Sequence, residues 1–312
     1  MAAMSSNPSS APAPVTNLDE AIGFTLPQRH ARGRLVRLGP VLDEVLSAHA
    51  YPAPIARILS EALTLTALLG AMLKDAGGQL TLQAQTEAGI VDLLVCDYRG
   101  GELRGYVRFD MERLAETPSL PSLENLFGKG YLAITFDQAA TKERYQGIVP
   151  LEGESLAEAA QSFFAQSEQI PSLVRIAIDD TGHVAGGLLL QHLPDGEEGR
   201  ERLHTRLDHP EWEHVRILAE TIRSNELFDL DLPVETLLWR LFNEEEVRIL
   251  ATVPLVRGCR CNPEHIRSVI GRFSAEERAE MADDNGVISV DCEFCSKSFP
   301  IALGDIAPEE KE

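Results

Sequence analysis

Four cysteines near the C-terminal end are the residues of this chain best suited to chemistry. Cys259 and Cys261 form a C-x-C pair in RGCRCNPE, and Cys292 and Cys295 form a C-x-x-C pair in VDCEFCSKSF. Thirty residues separate the pairs. Four thiolates in two close pairs can wrap one tetrahedral Zn2+ at about 2.3 Å per bond. The same spacing lets each pair close into its own disulfide once the metal leaves, so the site is a candidate redox switch as well as a structural clamp. Only five cysteines occur in 312 residues, and four of them cluster here. The fifth, Cys96, lies in the apolar run IVDLLVC and reads as a core thiol.

Other chemistries fit the sequence less well. His265 follows Cys261 by four residues and could replace one thiolate, but four cysteines already complete a ligand set. His204, His209 and His214 recur every five residues, which is not the spacing of a helix face, and Pro210 interrupts them. CEFC invites a thioredoxin-like reading. That chemistry needs a helix beginning at the first cysteine, whereas SKSFPIALGD follows, with Pro300 five residues on. No G-x-S-x-G, G-x-x-x-x-G-K-[ST] or H-E-x-x-H motif is present.

Composition narrows the partners. The formal net charge is −21, which disfavours a phosphate backbone. Residues 255–301 hold 6 Lys and Arg against 8 Asp and Glu, and four thiolates on Zn2+ add further negative charge, so a nucleic-acid-binding zinc ribbon lacks its basic patch. Residues 1–17 are small, polar and proline-containing, with no basic, apolar leader pattern. They are expected to be a disordered tail. The longest apolar stretch, residues 62–73, is too short to span a bilayer. A cytoplasmic location with reduced thiols is therefore expected, and with it no membrane and no nucleic-acid partner.

The elements that position the cysteines follow from periodicity. Residues 33–38 alternate as a strand, and PVLDEVLSAHAYP reads as a helix closed by Pro52. Ile55, Leu59, Ala62, Leu63 and Thr66 continue at helical spacing to Leu73, before Gly77-Gly78. Strands are expected at 80–85, 90–96 and 102–109, the last two joined at Arg99-Gly100-Gly101. A hairpin is expected at 131–137 and 144–149, a helix at 155–167 capped by Ser155 and Glu158, and strands at 173–179 and 184–192. Hairpins interrupted by helices predict an α+β domain with largely antiparallel sheet over residues 18–193.

Composition shifts at Pro194-Asp195-Gly196. Residues 195–248 carry 15 Asp and Glu against 7 Arg. Two helices fit here. One begins at Pro210 behind Asp208 and His209, with Trp212, Val215, Ala219 and Ile222 on one face. The other is capped by Asp231, with Pro233 near its start and Val234, Leu237, Leu238 and Leu241 on one face. The segment 194–250 is thus expected to be a charged helical linker that packs weakly on something larger. Residues 247–256 lead as a strand into a small C-terminal zinc-binding module, 251–303. There Asn262-Pro263 start a helix with Ile266, Val269 and Ile270 inward, Ser274 and Glu277 cap another, and 287–290 form a strand. An acidic tail, 304–312, follows. A unit of this size rarely holds by its core alone, and zinc would contribute on the order of 10 kcal/mol.

With these residues in view, the chain resembles the Hsp33 family of redox-regulated chaperones. The C-x-C…C-x-x-C pattern and CEFC carry the resemblance, as do HAYPAPIARILSEALTLTALLGAMLK, GQLTLQAQTEAGIVDLLVCDYRGGELRGYVR and FFAQSEQIP. It runs from about Arg32 to Ile306. The resemblance implies an ATP-independent holdase, not an enzyme, that is inactive when reduced and zinc-bound. It implies that Cys259, Cys261, Cys292 and Cys295 hold the zinc. Oxidation would form Cys259–Cys261 and Cys292–Cys295 disulfides, release the metal and unfold the linker. The oxidised form, a homodimer, would bind unfolding client proteins. The competing expectation is a constitutive zinc-ribbon adaptor that binds a macromolecular partner when reduced.

Overall fold

The computed structural model describes residues 18–73, 77–193 and 209–306. The expected tail 1–17, the composition shift at 194–196, His204, Asp208 and most of the acidic tail 304–312 lie outside them. The first sheet holds β1 (Glu20–Leu26), β2 (Ala31–Leu38), β8 (Ser172–Ile178), β9 (Ala185–His192) and β10 (Arg248–Pro254), in the order β10-β1-β2-β9-β8, all antiparallel. The second holds β3 (Gln79–Thr86), β4 (Val91–Arg99), β5 (Glu102–Phe109), β6 (Gly130–Gln138), β7 (Glu143–Pro150) and the two-residue β11 (Val256–Arg257). Its order is β11-β5-β4-β3-β6-β7, antiparallel except where β11 joins β5. The expected α+β fold class holds.

Helix α2 (Ala53–Gly70) lies between the two sheets and is apolar on almost every side. By length and composition it could cross a membrane, but 72% of it is buried inside this fold. Its buried hydroxyls return to the backbone one turn back: Ser60 to Ala56 O (2.9 Å), Thr64 to Ser60 O (2.8 Å) and Thr66 to Ala62 O (2.7 Å). The preceding helix, α1 (Pro40–Leu46), ends well short of the expected stop at Pro52, and turns fill the gap. Short helices α3 (Met111–Ala115) and α4 (Leu123–Phe127) connect β5 to β6, and α5 (Leu156–Phe163) follows β7. Ser155 caps α5 as expected, accepting from Glu158 N. Glu158, however, turns its carboxylate to Glu154 N (2.8 Å), so the reciprocal half of the cap is not made.

The other face of the first sheet is covered by α6 (Pro210–Glu220), α7 (Ser224–Phe228) and α8 (Val234–Phe242). This is why every residue of β9 is buried. The expectation of weak packing does not hold. Val215, Ala219 and Leu237 are fully buried, and they share a second core with Phe24, Leu35, Leu188 and Leu190 of the sheet. Asp231 does not cap α8; Pro233 occupies the cap position with no side-chain bond. Arg37, only 2% exposed, fixes the connection between α7 and α8 from β2. Its guanidinium donates to the carbonyls of Leu227 (2.9 Å), Leu232 (2.6 Å) and Glu226 (3.0 Å). A side chain at Gly186 would meet Leu227 O at 2.1 Å, so glycine there permits the approach.

The C-terminal module contains α9 (Pro263–Ile270), α10 (Ala275–Met281), β12 (Val287–Asp291) and β13 (Ser298–Ala302), the strands forming a hairpin. Ile270, Ile288, Ile301 and Ile306 form its small core. Of the three residues expected inward on α9, Ile270 is buried and Ile266 packs partly, but Val269 is exposed. The Ser274–Glu277 capping box is present.

Candidate metal centre

The C-x-x-C lies in the loop joining β12 to β13. Cys295 N donates to Cys292 O (3.2 Å), Ser296 N donates to the same carbonyl (2.8 Å), and Cys292 N donates to Lys297 O (3.0 Å). The chain therefore folds back on itself and turns both sulfurs inward. The C-x-C arrives along the edge of the second sheet. Val256 N donates to Gly101 O and Gly258 N to Leu103 O (both 2.9 Å), and the Gly258 backbone runs so close to Glu102 that an added Cβ would meet its side chain at 2.5 Å. Asn262 then caps α9 and carries the chain away.

The four sulfurs converge. Cys259 Sγ is 3.3 Å from Cys261 Sγ and 3.6 Å from Cys292 Sγ, Cys261 Sγ is 3.7 Å from Cys295 Sγ, and all four lie within 4.8 Å of one another. A tetrahedral thiolate site with bonds of about 2.3 Å has sulfurs about 3.8 Å apart. The arrangement therefore fits one tetrahedral cation. Burial first, then the sulfurs of Cys259 and Cys295, push the Cys261 thiol up to about 12. Four thiolates so close together repel one another, and a divalent cation removes that cost.

The other candidates stand apart. Cys96 is fully buried in β4, where burial raises its thiol well above the ordinary value. His265 is exposed on α9, outside the cluster. His209 caps α6 and packs at a tilt against His192, and His214 bonds Glu245, so these two histidines serve packing and capping.

Sequence reasoning missed the residues that dock the centre on the second sheet. They lie between the cysteines. Arg260, inside C-x-C, donates to Gln79 Oε1 (2.7 Å). Phe294, inside C-x-x-C, meets the Tyr106 ring edge-on at 5.0 Å, and the Arg104 guanidinium lies 4.0 Å over its face. Arg104 is itself held by Asp97 through Nε (2.8 Å) and Nη2 (2.6 Å). His49 Nε2 donates to Glu293 O (2.8 Å) and its Nδ1 accepts from Ser296 Oγ (3.0 Å). An aromatic residue between two ligands is a faint signal of such docking; the partner strands cannot be read beside it.

The chain that carries this centre matches a family model over most of its length. The model described as Hsp33 protein covers residues 19–302. The chain belongs to the Hsp33 family. It is 44% identical over 295 residues to a 33 kDa chaperonin of Caulobacter vibrioides, spanning 91% of this chain and 95% of that one. A 33 kDa chaperonin of Ectopseudomonas mendocina is 38% identical over 287 residues, spanning 91% and 92%. The crystal structure of a 33 kDa chaperonin, a heat shock protein 33 homolog from Thermotoga maritima, superposes with a TM-score of 0.75 over 92% of this chain and 96% of that one. At 22% identity that likeness concerns the fold. The family is one of chaperones, and the four cysteines could hold a metal ion in it.

Proposed function

We propose that this protein is a redox-gated, ATP-independent holdase without catalytic activity, acting in the cytoplasm. Cys259, Cys261, Cys292 and Cys295 would hold Zn2+, which keeps the sulfurs deprotonated and stabilises the module. The zinc module is residues 251–303 and the linker 194–250, on the core 18–193. Thiolates so held remain nucleophilic toward peroxide. For each pair, two thiolates give up two electrons and become one disulfide, while one hydrogen peroxide takes the electrons and two protons and leaves as two waters. Cys259–Cys261 and Cys292–Cys295 are the pairs. Paired sulfurs no longer offer thiolates, so the module loses its metal and most of its stability. The linker helices then lift, the apolar face beneath them binds unfolding client proteins, and the oxidised chains associate as homodimers. No nucleic acid or membrane takes part.

The observation that carries this reading is the four-sulfur cluster at the end of the strap formed by β10 and β11. That strap follows directly on the linker helices and pairs with both core sheets. The test compares aggregation of a thermally unfolding client with the reduced, zinc-loaded protein and with the peroxide-oxidised protein, without ATP. Protection is expected only from the oxidised form. Equal protection by both would overturn the gating, and protection only by the reduced form would point to the adaptor.

A further inference from the structure

β10 is an unusual strand for its position. It lies on the edge of the first sheet beside β1, yet Arg248 to Thr252 and Pro254 are exposed and Val253 is only half-buried. Ile249 and Leu250 are 48% and 45% exposed. Its pairing with β1 runs from Glu20–Pro254 to Thr25–Arg248, with a bulge between Ile22 and Phe24. Val253 packs against the core between the sheets, and the rest of β10 is held mainly by its main chain. Main-chain bonds contribute about 1 kcal/mol each and do not read the side chains of the strand they hold.

Its anchors lie at its ends. Upstream, Val247 packs on the second core and Glu245 bonds Arg29 and His214. Downstream, Leu255 is buried and donates its N–H to Asp19 O (2.7 Å), and the chain continues through β11 to Cys259. Loss of the metal module removes the tether beyond β11 and leaves Leu255 in the core between the sheets, whereas lifting of the linker helices frees the upstream end, from which β10 can peel. β1 differs from β10: Ile22 and Phe24 are buried, and Phe24 packs against Phe242 of α8 at 5.8 Å between ring centres. With β10 gone, the main chain of β1 needs a new partner, and the slot adjoins the apolar face the linker covered.

We propose that this vacated edge of β1 is a docking site for an extended apolar segment of a client chain, added as an antiparallel strand. The present occupant, RILATVP, shows what fits: an extended segment offering its main chain, with Ile249, Thr252 and Val253 favouring the strand conformation, the kind of segment an unfolding protein exposes. The inference rests on the holdase reading for its trigger.

The probe is a fluorescent peptide copying residues 247–255, titrated against the full chain in its reduced, zinc-loaded and its oxidised, metal-free forms. Binding at least about tenfold tighter to the oxidised form is expected, with photo-crosslinks on residues 20–25. An antiparallel ladder turns alternate amides toward each neighbour. N-methylation of alternate residues in one phase should therefore abolish binding, and in the other phase leave it unchanged. Crosslinks elsewhere, or equal effects of the two phases, would overturn the proposal. Thr25→Cys with Arg248→Cys, opposite each other across β1 and β10, ties the slot shut and should block the peptide while metal still leaves. A tied protein that binds as well as the untied one would also overturn it. Should the tied variant misfold, the methylated peptides on the wild-type chain decide. Client protection without peptide binding would sink the slot and leave the holdase reading standing; peptide binding without client protection would sink the holdase reading and, with it, the slot as a client site.

Discussion

Phe294 and Arg260 offer no metal-binding atom beside the cysteines they separate, yet they connect the sulfur cluster to the core. Phe294→Ala should leave one metal per chain but loosen the docking by about 1–2 kcal/mol, the scale of an aromatic pair with a cation over its face. Metal transfer to a competing chelator, followed by absorbance, should quicken about tenfold; an unchanged rate would show that the contact is passive. Glu61 of α2 offers a second test. Its carboxylate accepts from Ala157 N (3.1 Å) at the start of α5, and burial raises its pKa to about 7 against the lowering pull of the Ala157 and Leu156 amides. The folded state therefore keeps a proton that the unfolded state has lost above about 4.5. Wild-type stability should fall relative to Glu61→Gln as pH rises through that window, with the two curves parallel again by pH 8. Urea melts across pH measure it, and parallel curves throughout would refute it. The cysteines were legible in the sequence because two close pairs of a rare residue stand out by type and spacing, and the structure brings the four together. Arg260 and Phe294 were not, because Gln79 lies 181 residues from Arg260 and only the fold brings such partners near.

At the scale of elements, α6–α8 are held by more than their apolar stripes. Arg37 reaches from the sheet to three carbonyls around α7 and the loop before α8. Arg37→Met keeps bulk and removes all three donors, which should weaken the helices by on the order of 3 kcal/mol. Hydrogen exchange should show α6–α8 losing protection in the reduced, metal-loaded protein while α2 stays protected; equal loss in α2 would mean global destabilisation instead. The stripes of α6 and α8 were readable because helical periodicity is local. The depth of their burial was not, because an acidic composition describes the solvent face and leaves the covered face unstated. β1 escaped notice because EAIGFTL is buried on both faces and does not alternate. α7 is only five residues long, and β13 carries Pro300.

At the scale of the molecule, the three cores among the described residues differ greatly in size. The core between the sheets extends over α2 and both sheets, whereas the C-terminal module has four buried isoleucines. A core that small rarely suffices alone, and on the proposed reading a bound metal supplies the rest. Chelation of the reduced protein should therefore remove exchange protection from α9, α10 and the β12–β13 hairpin while α2 and β3–β6 keep theirs. Retained protection in the module would show that its isoleucines suffice.

The pairing of Glu20 with Pro254 also bears on how the chain is made. One edge of β1 finds β2 early, but its other edge waits for a partner 234 residues later. At 5–20 residues per second that wait lasts roughly 10–50 s. Throughout it, β1 has an open edge, and the sheet beneath the later helices has no cover until α6–α8 emerge. Neighbouring nascent chains on one message carry the same open edge at the same time. Each newly synthesised copy thus passes through an interval in which it has the exposure of an unfolding protein, and its own strand must arrive before a neighbour's does.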